Sequence, residues 1–218
     1  MGGDADPDSF AGESEVMNFF ALLCSSYLLG AFPTGILMGR LVKGVDVRQH
    51  GSGNVGATNV YRVVGKLPGG LVLMIDAAKG WFPVAVMAGW AASDAGGIPL
   101  ETIRISFGAA AVAGHIWNPF LQFQGGKGVA TALGVLLGLD PRVALATTAV
   151  WLLVALTTRY VSVASIAAGV AAPFVMAFLG LPLFWVFGGI AVSLSIIARH
   201  RPNILRLLHG EEHRFGKK

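Results

Sequence analysis

Residues 69–91 read Gly69-Gly70-Leu71-Val72-Leu73-Met74-Ile75-Asp76-Ala77-Ala78-Lys79-Gly80-Trp81-Phe82-Pro83-Val84-Ala85-Val86-Met87-Ala88-Gly89-Trp90-Ala91. Uncharged residues surround a single acid and a single base. As a helix rising about 1.5 Å per residue, the stretch is long enough to cross a hydrocarbon layer of about 30 Å. Asp76 and Lys79 lie one turn apart on the same helical face, where their charges can pair. Two readings of that pair stay open: a functional charge inside the membrane, or a structural ion pair capping a helix break near the interface.

The rest of the chain repeats the pattern. Of its 218 residues 54% are hydrophobic and only 13% charged. Soluble domains carry about 25% charged residues, so lipid is the solvent this composition fits. Further apolar stretches run over Val16–Arg40, Ile103–Trp117, Gly128–Leu139, Val143–Thr157, Val163–Leu179 and Leu183–Ala198. The predicted fold is therefore an all-α polytopic membrane protein of about seven transmembrane helices. Asp140-Pro141 reads as a tight turn and a new helix start between the fourth and fifth spans; if those two are instead one broken helix, there are six. Pro33, Pro83 and Pro173 are expected to kink their helices. Thirty glycines suit close helix packing in lipid. Cys24 is the lone cysteine, so no intrachain disulfide can form. Residues 1–15 read as an acidic, disordered extracytoplasmic tail, 16–211 as the membrane domain and 212–218 as a basic cytoplasmic tail. The first span lacks a cleavage-site pattern and reads as an anchor.

Charge assigns the sides. With seven spans, residues 40–68, 118–127, 158–162 and 199–218 share one face and carry thirteen Lys or Arg. The opposite face holds only Arg104 and Arg142 against eight acids. The positive-inside rule then places the amino terminus outside and the carboxyl terminus in the cytoplasm. Every polar constellation of the chain falls on that cytoplasmic side.

The first constellation is Gly51-Ser52-Gly53-Asn54-Val55-Gly56-Ala57-Thr58-Asn59, closed by Arg62. Glycines let backbone N–H groups turn toward an oxyanion, Ser52, Asn54, Thr58 and Asn59 add uncharged donors, and Arg62 adds a planar fork suited to phosphate. The second is Gly114-His115 followed by Gly125-Gly126-Lys127-Gly128-Val129-Ala130-Thr131. Just before a helix, that run brings N–H groups, a positive dipole end and an ammonium to one point. A flexible interfacial turn with a snorkelling lysine is the alternative. On the anion reading, Ala at Gly125, Gly126 or Gly128 keeps the backbone from the anion and raises KM. The third is Arg199-His200-Arg201-Pro202-Asn203-Ile204 with Arg206, Gly210 and Glu211. Pairing with anionic lipid accounts for Arg201, Arg206 and Arg214. It does not account for His200, the side chain most easily tuned for proton transfer near neutral pH, or for Asn203. Arg159-Tyr160-Val161-Ser162 with Ser165 forms a smaller polar patch that by itself reads as an ordinary helix start.

Together these segments suggest a membrane enzyme handling a phosphorylated substrate. Other chemistries fit poorly. The run before Lys127 is not a Walker A loop, and the chain has no metal-ligand spacing, no H-E-x-x-H and no Gly-x-Ser-x-Gly elbow. No metal and no cofactor are expected. The basic residues hug the membrane without interleaved aromatics, which argues against nucleic acid.

In these three motifs the chain resembles the bacterial acyl-phosphate:glycerol-3-phosphate acyltransferase (PlsY) family, from the first span to Glu211. The resemblance implies transfer of a fatty acyl group from acyl-phosphate to the sn-1 hydroxyl of glycerol 3-phosphate. The products are lysophosphatidic acid and phosphate, in the first acylation of phospholipid synthesis. It implies neither acyl-CoA nor acyl carrier protein as donor, and a place in the bacterial cytoplasmic (inner) membrane with the active site on the cytoplasmic face. By position, Ser52 and Arg62 match the essential pair of the first motif. Gly125, Gly126 and Gly128 match phosphate-binding glycines, with Lys127 the basic residue among them. Ser165, His200 and Asn203 match active-site residues, and Glu211 a residue tied to structural integrity. Two phosphates would account for two glycine-rich segments plus Lys127, Arg62 and Arg206. The base for the glycerol hydroxyl is either His200 or a substrate phosphate oxygen, and the second is preferred because no base is obvious. The alternative function is a membrane transporter for a phosphorylated metabolite, which would want repeat symmetry between halves and polar groups near the midplane.

Overall fold

The computed structural model describes residues 7–216 except 94 and 96, and among them every regular element is helical. The main helices are α1 (Pro7–Gly30), α2 (Thr34–Lys43), α3 (Ala57–Val63), α4 (Lys66–Phe82), α5 (Ala88–Ala92), α6 (Leu100–Ile116), α7 (Val129–Leu139), α8 (Pro141–Thr158), α9 (Val161–Phe178), α10 (Leu183–Arg199) and α11 (Arg201–Leu208). Each expected span corresponds to a helix or a pair of helices. Four stretches are long and apolar enough to cross a membrane: Val16–Lys43, Lys66–Ala92, Pro141–Thr158 and Val161–Phe178. Helix α10 reaches that length only together with α11, from which it is bent by 54° at His200. Helices α6 and α7, of 17 and 11 residues, fall short of that length. Of the expected acidic head, residues 1–6 lie outside the described residues, and the backbone of α1 begins at Pro7.

The three prolines meet the helix ladder in three different ways. Before Pro33 the chain leaves helical geometry, so the first expected span is two helices, α1 and α2. After Phe82 a π-helical turn, Pro83–Met87, links α4 to α5. Pro173 lies inside α9 and lacks the N–H that would bond the Gly169 carbonyl one turn back. The Ser193 hydroxyl of α10 donates to that carbonyl instead. Asp140 stands extended between α7 and α8 and caps α8 through the Arg142 N–H, 2.8 Å away. The fourth and fifth spans are thus separate helices.

Small residues set the packing, as lipid-embedded helices require. A Cβ on Gly80 of α4 would overlap the Thr131 carbonyl of α7, and one on Gly134 of α7 would overlap the Ala77 carbonyl of α4. Gly30 of α1 meets Ala111 of α6, and Gly114 of α6 meets Tyr27 of α1, in the same way. Because Thr131 touches Gly80, α7 begins level with Lys79, several turns along α4 from Lys66. The short helix therefore opens a recess in the bundle at its own N-terminus.

The Asp76–Lys79 pair sits at that level. Lys79 Nζ lies 2.9 Å from Asp76 Oδ1 and donates to the Phe32 carbonyl at 3.1 Å, in the break between α1 and α2. Both side chains are buried. Of the two readings, the pair that caps a helix break is the one observed for Lys79; Asp76 additionally touches the cavity described next.

Candidate active site

The first motif is a loop built by one buried amide. Asp46 caps the turn Val47–Gln49 and pairs with Arg48 at 2.7 Å; the hydrogen bond from Arg48 holds its carboxyl down to about 2. The chain then turns through Gly51 (φ +61°) and Gly53 (φ +71°), left-handed conformations that glycine adopts without strain. Asn59, on α3, closes the loop from inside. Its Nδ2 donates to the carbonyls of Val47 (2.8 Å) and His50 (3.1 Å), and its Oδ1 accepts the Ser52 N–H at 2.8 Å. Asn54 Oδ1 accepts the Gly56 N–H at 2.8 Å. The Asn59 amide and the Asn54 oxygen are thus committed to the loop itself. Among the described residues the Ser52 and Thr58 hydroxyls make no hydrogen bond and Arg62 makes no ion pair, and all three line a cavity.

The second motif corrects an expectation. The Gly125 N–H donates to the Ile116 carbonyl and the Gly126 N–H to the His115 carbonyl, each at 3.0 Å. Arg199 reaches the carbonyls of the same two glycines, from Nη2 to Gly125 at 2.8 Å and from Nε to Gly126 at 3.3 Å. These peptides are saturated and cannot cradle an anion. Their glycines are needed because a Cβ on Gly125 would overlap the His115 carbonyl and one on Gly126 the His115 ring. The amides left without a backbone acceptor are those of Lys127 and Gly128 and of Val129, Ala130 and Thr131 in the first turn of α7, whose first bond runs from Ala132 to Gly128. The expected phenotype changes with this. Gly125→Ala should destabilise the protein by roughly 1–3 kcal/mol through overpacking and leave the KM of the surviving enzyme unchanged. Thermal unfolding beside substrate titration checks this, and a normal Tm with a raised KM would restore the anion-cradle reading.

Lys127 follows directly and points the other way, donating from Nζ to Asn203 Oδ1. Burial, then the charges of Arg206, Arg62 and Arg199, push its ammonium down to about 8 against the pull of Glu212. The third motif supplies its partners. Arg159 (φ 62°) turns α8 into α9 and sets Ser162 and Ser165 on the inner face. The Ser165 hydroxyl donates to the Val161 carbonyl at 2.8 Å and accepts Trp151 Nε1 at 3.2 Å.

His200 stands at the bend between α10 and α11. Its Nδ1 lies 2.8 Å from the Ile196 carbonyl, an acceptor only, so Nδ1 carries the proton and Nε2 of the neutral ring is bare. Burial and then the nearby Lys127 push its pKa down to about 4. After α11 the chain reverses at Gly210 (φ +73°), which turns Glu211 outward and Glu212 inward. Glu212 accepts from Ser162 Oγ (2.8 Å), Asn203 Nδ2 (2.7 Å) and Arg206 Nε (2.8 Å). Burial raises its pKa, but these donors outweigh that and keep it ionised. The integrating carboxylate is thus Glu212; Glu211, expected in that role, is exposed. Sequence reasoning missed Glu212 because two adjacent glutamates differ only in which one the glycine turn points inward. The tail is held there by Phe215 N–H to the Arg159 carbonyl (2.7 Å) and by Arg214 Nε to Tyr160 Oη (2.9 Å).

One cavity of about 380 Å³ gathers these segments. Ser52, Asn54, Thr58, Asn59 and Arg62 line its polar end with Lys127, Gly128, Ser165, His200 and Asn203. Gly51, Gly53, Gly125, Gly126, Arg206 and Glu211 lie outside its wall. From the polar end it continues between α6, α7, α8, α9 and α10 past side chains such as Val112, Leu136, Trp151 and Val192. Around Lys127 the fixed charges are Lys127, Arg62, Arg199 and Arg206 against Glu212 alone, an excess of positive charge that suits a polyanion.

The chain is similar to known proteins over most of its length. The family profile described as glycerol-3-phosphate acyltransferase matches residues 20–210. A glycerol-3-phosphate acyltransferase of Desulforudis audaxviator is 50% identical over 192 residues, 88% of this chain and 92% of that one. One from a Nostoc species is 43% identical over 218 aligned residues, covering 93% and 96% of the two chains. A crystal structure of PlsY (YgiH), an integral membrane glycerol 3-phosphate acyltransferase in its glycerol 3-phosphate form, superposes with a TM-score of 0.83 at 45% identity, over 91% of this chain and 96% of that one. Its lysophosphatidic acid form gives 0.81 at 44% identity, over 91% and 95%.

Proposed function

This chain belongs to the glycerol-3-phosphate acyltransferase family, and from that membership we propose that its donor is an acyl-phosphate and its acceptor atom the sn-1 oxygen of glycerol 3-phosphate. It transfers an acyl group to glycerol 3-phosphate and forms lysophosphatidic acid. The observation that carries the donor assignment is the single cavity, cationic at one end and apolar beyond it. Two phosphates and one acyl chain match that division.

An acyl-phosphate is a mixed anhydride, so its carbonyl is already activated and phosphate leaves readily. The site's task is to place two anions and a greasy chain and to stabilise developing charge. Arg62, Lys127 and the first turn of α7 bind the phosphates, and Ser52 acts as a ligand rather than a nucleophile. Asn203 holds Lys127, and Glu212 holds Asn203. The glycerol oxygen attacks the carbonyl carbon, the carbon–oxygen bond to phosphate breaks, and the hydroxyl proton passes to a substrate phosphate oxygen. His200 Nε2 accepts a hydrogen bond from the neighbouring sn-2 hydroxyl and so orients glycerol 3-phosphate for attack by its sn-1 oxygen.

The site faces the cytoplasm of a bacterial inner membrane, with seven spans and the amino terminus outside; the one-sided distribution of Lys and Arg supports this. A cysteine replacing Gln124 in a Cys24→Ala background should react with an impermeant thiol reagent in inverted vesicles only. Reaction in intact cells would reverse the orientation. For the chemistry, purified protein given palmitoyl-phosphate should release phosphate only when glycerol 3-phosphate is present, and acyl-CoA or acyl carrier protein should give no product. Lysophosphatidic acid formed from acyl-CoA would overturn the donor assignment.

A further inference from the structure

The apolar part of the cavity ends at a definite residue on each helix that lines it. Below the level of Gly128 and Ser165 it follows α7 to Leu139 and α9 to Met176; on α6 it ends at Ile105, on α8 at Thr147 and on α10 at Gly188. Eleven residues separate the first and last of these positions on α7 and on α9, which is about 16 Å of helix. With carbon–carbon bonds of about 1.5 Å in a zig-zag, that length takes on the order of a dozen chain carbons below the carbonyl.

What stops the cavity is a buried cluster. Met176 is 1% exposed and packs in one apolar group with Leu139, Val143 and Trp185. Trp185 lies one turn beyond Gly188 on α10 and does not touch the cavity; its Nε1 donates to the Glu101 carbonyl at 3.1 Å, which pins the ring. Gly188 and Gly189 leave the last turn of the channel open on the α10 side. A Cβ on Gly189 would lie 3.0 Å from Met176 Sδ, and one on Gly188 3.0 Å from Ile105 Cγ1. Met176 is thus the one long, unbranched side chain at the floor, facing a glycine and backed by a fixed indole.

We propose that Met176, seated against Gly189, is the floor that sets the length of the acyl chain this enzyme prefers. The inference rests on the reading of the channel as the acyl site. A chain that fits ends at the thioether; each methylene beyond it must displace Met176 toward Trp185, and each methylene short of it leaves apolar wall without a partner. Shortening the floor residue moves the optimum to longer chains, and enlarging it moves the optimum to shorter ones.

The test is a series of decanoyl- to octadecanoyl-phosphates presented to wild type, Met176→Ala and Met176→Phe in detergent with saturating glycerol 3-phosphate. Met176→Ala should shift the best substrate by two or more carbons toward longer chains, and Met176→Phe the opposite way. For chains that no longer fit, kcat/KM should fall at least tenfold, the usual worth of a methylene in an apolar pocket. The KM for glycerol 3-phosphate should not move. If Met176→Ala fails to fold, Gly189→Ala, which narrows the same place from the other side, should still shift the preference toward shorter chains. Turnover with an unshifted chain-length profile would overturn the floor. Absence of turnover with any acyl-phosphate in the wild type would instead overturn the proposed donor.

Discussion

Lys127→Met should lose transfer activity by about 10²–10³-fold, the usual worth of a charged donor aimed at transition-state charge, while the protein becomes harder to unfold. The second half of that expectation follows from where the ammonium stands. Burial and three neighbouring arginines bring it down to about 8 from an ordinary 10.5, so holding it charged at neutral pH costs about 3 kcal/mol of stability. A depressed base has its cost in full below pH 8 and loses it as pH rises toward 10.5, where the unfolded chain also releases its proton. Wild-type Tm should therefore climb across that window, and the Met variant should start higher and stay flat. Catalysis has the opposite sign: kcat/KM of the wild type should fall above about pH 8 as the free enzyme loses the ammonium, and Lys127→Arg should move that limb out of range. A Met variant no more stable than wild type, with an unchanged alkaline limb, would mean that Lys127 is neither strained nor the phosphate ligand.

Replacing His200 by Ala should lower kcat by roughly 10²–10⁴-fold, a range that covers both proton transfer and orientation of the nucleophile. The pH profile separates the two roles. Burial holds the imidazole neutral until about pH 4, so in the free enzyme His200 loses its accepting lone pair only as pH falls through that value. A phosphate monoester gains a proton near pH 6. A low-pH limb near 6 in the wild type therefore belongs to substrate phosphate and should persist in a weakened His200→Ala enzyme. His200→Gln, whose amide oxygen accepts a hydrogen bond but cannot take the proton, should recover part of the loss. Disappearance of the limb in the Ala variant would make His200 the base and end the substrate-assisted mechanism.

The helical membrane class and the family were legible in the residues alone, as were the motifs whose side chains meet at one cavity. Those properties are additive along the chain. Apolar runs such as Gly69–Ala91 need only length and composition to declare themselves, and Ser52, Arg62, Lys127, His200 and Asn203 stand in motifs whose order survives any arrangement of the helices. Roles that depend on which partner a group meets were decided only by tertiary structure. Gly125 and Gly126 looked like an anion cradle because free glycine peptides can be one; packing against α6 spends their amides on His115 and Ile116. Asn59 looked like a substrate donor, but its amide is used up in closing the loop. The choice between Glu211 and Glu212 turned on the left-handed Gly210, which no pattern of side chains reveals. Lys79 needed the break before Pro33 to show which carbonyl it caps. A hydrogen bond is made once and excludes its alternatives, so the residue type lists what a group can do and only the fold says which of those it does.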